Sequence, residues 1–156
     1  MNTFYKKTLT KIMNKNKTLS IAESCTGGRI CNEITKIPGI SKTFLLGIIS
    51  YSNNAKISLL KINNKKINKY GAVSKEIAKE MAINILKISK SDISISSTGI
   101  AGPTGFSKKK PLGLVYFAIA SKKNILVYKK KFKGKRLSIQ KKATDFAFTI
   151  LDEFVK

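Results

Sequence analysis

Histidine is absent from this chain of 156 residues. That excludes a Ser-His-Asp triad, a Cys-His pair and any histidine-ligated metal site within the chain. Acidic side chains are also scarce and scattered, eight in all. Glu76 and Glu80 share a helical face at i,i+4, but the lysines around them mark a solvated face rather than a metal site. Cysteine is limited to Cys25 and Cys31, with no Cys-x-x-Cys spacing and no zinc pattern. Both thiols are expected to be reduced. The longest apolar run, Leu112 to Ala120, is about half what a membrane-spanning helix needs. The opening Met1-Asn2-Thr3-Phe4-Tyr5-Lys6-Lys7 lacks the apolar core of a signal peptide, so a cytoplasmic location without membrane contact is the default expectation.

Basic residues are abundant by contrast, and the formal net charge is +23. Such a charge suggests a polyanionic partner. The composition offers a plainer reading. Only Arg29 and Arg136 are arginine, and Lys, Ile and Asn together fill 62 of the 156 positions. AT-rich codons encode all three. A dedicated nucleic-acid binder would use more arginine for bidentate phosphate and base contacts. Nucleic acid is therefore not the expected partner.

Apolar spacing organises the chain. Helices are predicted over Phe4 to Met13, Gly28 to Ile37, Asn53 (as N-cap) to Leu60, from Ser74 onward, and over Gly134 to Val155. A further short helix ends at Tyr70-Gly71. The Ser74 helix has the clearest stripe: Ile77, Ala78, Met81, Ala82 and Ile85. Strands are predicted at Thr18 to Ala22, Phe44 to Tyr51 and Asp92 to Ser97, and as a hairpin of Leu112 to Ala120 with Ile125 to Phe132. No repeat or linker divides residues 1–156, so one domain is expected. The alternation argues for an α/β fold, a three-layer α/β/α sandwich on a mixed, mostly parallel sheet.

Ligands in such folds collect beyond the carboxyl ends of strands. Three segments leave predicted strands there. In Glu23-Ser24-Cys25-Thr26-Gly27-Gly28, Ser24 stands before a Gly-Gly pair that opens a helix. A serine at such a place commonly just caps the helix. The same geometry suits an oxyanion hole for a nucleophilic serine, or phosphate binding. Cys25 is a rival nucleophile whose thiol a helix start would acidify, though it lacks a histidine partner. Glu23 either supports the site from behind or, by default, pairs with a lysine. In Tyr51-Ser52-Asn53-Asn54-Ala55-Lys56, a lysine in the first turn of a helix meets the positive helix end, which favours the neutral amine. Spacing alone does not select Lys56 among 29 lysines. The loop Thr98 to Gly105 can bring backbone amides close to an anion, or can be an ordinary surface loop.

These segments, together with Tyr70-Gly71-Ala72-Val73-Ser74, Lys110-Pro111-Leu112-Gly113 and Phe132-x-Gly134-x-Arg136, resemble the C-terminal domain family of CinA, the competence/damage-inducible proteins. That family includes stand-alone nicotinamide-nucleotide amidohydrolases. The resemblance runs in order along nearly the whole chain. It implies hydrolysis of the carboxamide of nicotinamide mononucleotide to nicotinate mononucleotide and ammonia, without metal or organic cofactor. It assigns the nucleophile to Ser24 and its base to Lys56, acting directly or with Tyr51 assisting. Substrate binding would fall to Thr26, Gly27, Gly28, Asn53, Thr98, Gly99, Gly102, Gly105 and Arg136. The larger CinA proteins carry a separate N-terminal domain of a molybdopterin-binding type, expected to be absent at this length. A homodimer is compatible with the resemblance.

The chain departs from the family at Phe106, where another glycine is usual, and at Gln140, where arginine is usual. Leu114 replaces a threonine and Lys135 an acidic residue. If the family arginine holds the nucleotide phosphate, Gln140 weakens that contact. A catalytically weakened nucleotide-binding protein is therefore the alternative expectation.

Overall fold

The computed structural model describes residues 2–156. Helix α1 (Thr3–Asn14) begins at Asn2, whose side chain accepts a hydrogen bond from the Phe4 N–H, and it buries Tyr5, Leu9 and Ile12. Strand β1 (Leu19–Glu23) is buried along its whole length and leads through a turn into α2 (Arg29–Thr35). Strand β2 (Phe44–Ile49) precedes α3 (Asn53–Leu60) and α4 (Asn64–Tyr70). Ser52, not Asn53, caps α3, because its hydroxyl reaches the Ala55 N–H at 3.0 Å.

Ser74 caps α5 (Lys75–Ser89), and the five expected apolar positions are the ones α5 buries. Strands β3 (Ile93–Gly99), β4 (Leu114–Ser121) and β5 (Ile125–Lys131) follow, and α6 (Arg136–Phe154) closes the chain.

The five strands lie in the order β2-β1-β3-β4-β5. β1 pairs in parallel with both β2 and β3, while β4 runs antiparallel to β3 and β5. Four of the five strands thus point the same way. Helices α1, α2 and α6 cover one face over a core that includes Leu9, Ile21, Ile95, Phe117 and Phe148. Helices α3, α4 and α5 cover the other, over Ala22, Leu60, Ile67, Met81 and Ile85.

Small residues let α5 lie close to the sheet. Ala78 and Ala82 meet Ala118 and Ala120. The hydroxyls of Ser94 and Ser96 donate to the Ala82 and Ala78 carbonyls at 2.7 and 2.6 Å. The alternation in Ile93-Ser94-Ile95-Ser96 therefore satisfies polar groups on one side and fills the core on the other.

Parallel pairing brings the carboxyl ends of β2, β1 and β3 to one end of the sheet. The three loops singled out in the sequence gather there. Among the described residues no helix is long and apolar enough to cross a membrane.

Candidate active site

The site is built on the turn that follows β1. Gly27 and Gly28 both adopt left-handed backbone, with φ of +62° and +89°, which a side chain disfavours. A Cβ at Gly28 would also stand 2.8 Å from the Ile49 side chain. The Glu23 carboxylate lies underneath and is fully buried. Among the described residues it pairs with no lysine. Instead it accepts hydrogen bonds from the N–H groups of Gly28 at 2.9 Å, Ile30 at 3.3 Å and Cys31 at 2.8 Å. A carboxylate at the positive end of α2 is favourable. It also fills the place an anionic ligand would take at those amides.

Ser24 is buried at the start of this turn. Lys56, in the first turn of α3, is 2% exposed despite its charge. Its Nζ donates to Ser24 Oγ at 3.1 Å and to the Ser50 carbonyl at 2.6 Å. No carboxylate lies within salt-bridge distance of it among the described residues. Burial lowers its pKa to about 8, which the neighbouring Cys25 opposes only in part. The result is a serine beside an amine that loses its proton near physiological pH.

A cleft of about 290 Å³ opens over Ser24, with Cys25, Tyr51, Gly99, Gly102 and Arg136 among its lining residues. Gly105 lines it as well. Arg136, the first residue of α6, donates to the Gly102 carbonyl and to the Tyr51 hydroxyl. Tyr51 is largely exposed, and its hydroxyl meets Arg136 rather than Lys56. Gly99 is needed for tightness, since a Cβ there would meet the Leu114 carbonyl oxygen at 2.6 Å.

Other expected residues face elsewhere. Thr26 is fully buried and bonds Ser97 across the sheet at 2.7 Å. Thr98 is buried and donates to the Ala72 carbonyl at 2.8 Å. Both side chains turn inward, so the hydroxyls tie down the loops rather than face the cleft. Gly27 and Gly28 bend the turn beneath it. Asn53 is exposed on α3, outside the lining. Gln140 does not line the cleft either. It is buried, with Nε2 donating to the Cys25 carbonyl at 2.9 Å and Oε1 accepting from Arg29 Nε at 3.3 Å. The side chain of Phe106 is exposed on the loop.

Cys25 lines the cleft, but burial pushes its thiol up to about 12, opposite to the expected acidification. Desolvation outweighs the helix-start effect there. Sequence reasoning missed the role of Glu23, although an acidic residue just ahead of a Gly-Gly helix start was a readable capping signal. Nothing local announced the Ser50 carbonyl or the Gln140 contact. A larger cavity, about 840 Å³, sits at the opposite end of the sheet against Lys17, Asp92 and Phe154, far from this chemistry.

The family model for the CinA C-terminal domain matches residues 1–155. A CinA-like protein of Endomicrobium trichonymphae is 47% identical over 140 residues, 90% of this chain and 33% of that protein. The chain thus spans about a third of the length of the curated relatives it matches. Among solved structures, a competence/damage inducible protein from Agrobacterium tumefaciens superposes with a TM-score of 0.95 at 32% identity, covering 98% of this chain and 94% of the other. A CinA superfamily protein from Klebsiella pneumoniae gives 0.94 at 27% identity, covering 99% and 98%. This agreement along the whole chain has one meaning: the chain belongs to the CinA C-terminal domain family.

Proposed function

We propose that the protein is an amidohydrolase that converts nicotinamide mononucleotide to nicotinate mononucleotide and ammonia, with Ser24 as nucleophile and Lys56 as base. The carrying observation is the 3.1 Å contact between Lys56 Nζ and Ser24 Oγ, made by an amine with pKa about 8. At pH 7 roughly a tenth of such an amine is neutral, enough to act as a base.

Neutral Lys56 takes the Ser24 proton as Oγ bonds to the carboxamide carbon. The oxyanion forms against backbone N–H groups. Glu23 already holds those of Gly28, Ile30 and Cys31, so this task falls to the turn itself, at Cys25 and Thr26, and to the glycine loop. The intermediate collapses, Lys56 passes its proton to the leaving nitrogen, and ammonia departs. Water then gives a proton to Lys56 and adds to the acyl-Ser24 carbon. Loss of nicotinate mononucleotide returns the proton to Ser24 Oγ. In this reading Arg136 is the cation available to the substrate's phosphate, with Tyr51 beside it.

The test is ammonia release from nicotinamide mononucleotide by the purified protein, with Ser24→Ala as control. Release by wild type that falls at least a thousandfold in Ser24→Ala supports the reading. Full activity in Ser24→Ala removes Ser24 as nucleophile. Mononucleotide binding without ammonia release establishes the alternative, a nucleotide-binding protein without turnover.

A further inference from the structure

Three contacts hold the turn around Ser24. Glu23 fixes its far end through the α2 amides, and Thr26 is tied to Ser97. The third is Gln140, which reaches from α6 to the carbonyl of Cys25, the residue next to the nucleophile. Gln140 has little freedom. It is 7% exposed, its own carbonyl accepts the Thr144 hydroxyl at 2.9 Å, and Ile139 and Ala143 beside it are core residues. Its amide orientation is determined as well. The Cys25 carbonyl demands a donor and Arg29 Nε demands an acceptor, and only one of the two flips serves both.

A trans peptide points its C=O and N–H in opposite directions. The plane that carries the Cys25 carbonyl also carries the Thr26 N–H. Holding the carbonyl therefore sets where that N–H aims. We infer that Gln140 is a positioning residue: with Arg29 fixing its amide, it clamps the Cys25–Thr26 peptide so that the Thr26 N–H is pre-aimed at the oxyanion formed on Ser24. The inference rests on the amidohydrolase reading for its substrate. It also assigns the departure at position 140 a place in the nucleophile's support rather than in phosphate binding.

A donor that matters only in the transition state changes kcat more than KM. Deleting an oxyanion donor outright costs about a hundredfold to a thousandfold, so loosening its aim should cost roughly tenfold to a hundredfold. Gln140→Glu is the isosteric probe. It can still accept from Arg29 but cannot donate to the Cys25 carbonyl. Gln140→Leu removes both contacts.

Three measurements decide the matter: ammonia-release kinetics, the rate at which a fluorophosphonate labels Ser24 (by intact mass), and hydrogen exchange across residues 24–31. The expected result is a kcat lower by tenfold or more with KM within about threefold. Ser24 labelling slows in parallel, the pH midpoint near 8 is kept, and exchange rises at 25–27 but not at the amides held by Glu23. A folded Gln140→Glu protein with wild-type exchange at 25–27 overturns the inference. So does one whose kcat and labelling rate stay within about twofold of wild type. If wild-type Ser24 labels but no ammonia appears, the amidohydrolase reading fails, while labelling and exchange still decide the role of Gln140.

Discussion

Lys56 donates to Ser24 Oγ, and among the described residues no carboxylate lies within salt-bridge distance of its amine. Its pKa of about 8 is set chiefly by burial. Activity should therefore rise with pH around a midpoint near 8, measured as kcat/KM for ammonia release, and Lys56→Met should abolish it. A stability effect accompanies this. The native amine binds its proton less tightly than the unfolded one, so between about pH 8 and 10.5 the unfolded chain holds more protons and stability rises with pH. Urea midpoints across that window should climb more steeply for wild type than for Lys56→Met. Equal slopes would mean that Lys56 is not desolvated.

The Tyr51 hydroxyl accepts a hydrogen bond from Arg136 and does not meet Lys56. Tyr51→Phe should raise KM severalfold, by loosening Arg136, while leaving the pH midpoint of kcat unmoved. A shifted midpoint would instead place the phenol in the proton path.

Cys25 carries a thiol pushed up to about 12 by burial. It should resist iodoacetamide at pH 8 in the native protein and react on unfolding. Cys25→Ala should retain ammonia release within about threefold. Loss of activity on the scale of Ser24→Ala would make the thiol the nucleophile.

Glu23 accepts three backbone N–H groups at the start of α2. Hydrogen bonds to a charged group are worth about 1.5–3 kcal/mol each, and leaving buried donors unpaired costs a similar amount. Glu23→Ala should destabilise the fold by about 2–4 kcal/mol in urea denaturation. Glu23→Gln keeps one acceptor oxygen and should lose less. A neutral outcome for Glu23→Ala would show that water replaces the carboxylate at no cost.

The layered fold was legible because period and punctuation are local properties. The stripe on α5, the Ser74 cap and the Gly27-Gly28 break each depend on residues a few positions apart, and each appears where expected. Even the α3 boundary missed by a single residue, since Ser52 and Asn53 are both competent caps and only the backbone geometry chose between them. The placement of candidate loops at strand ends followed from the same alternation.

Which side chains meet was another matter. Thr26 and Thr98 stand in glycine-rich loops like ligand-binding residues, yet both turn inward to bond Ser97 and the Ala72 carbonyl. Among the described residues Glu23 pairs with none of the 29 lysines, because it lies under a helix start whose bare amides outcompete a solvated ammonium.

By itself, then, the sequence determined the α/β alternation, the absence of histidine chemistry and the family to which the turn around Ser24 belongs. Only the tertiary structure distinguished Lys56 from the other lysines, by burying it against Ser24, 32 residues away. It also brought Gln140 to Cys25, 115 residues away. The reason is physical. Helix and strand periods report near neighbours, whereas desolvation and hydrogen-bond partnership depend on which strands lie side by side, and the order β2-β1-β3 exists only in the folded sheet.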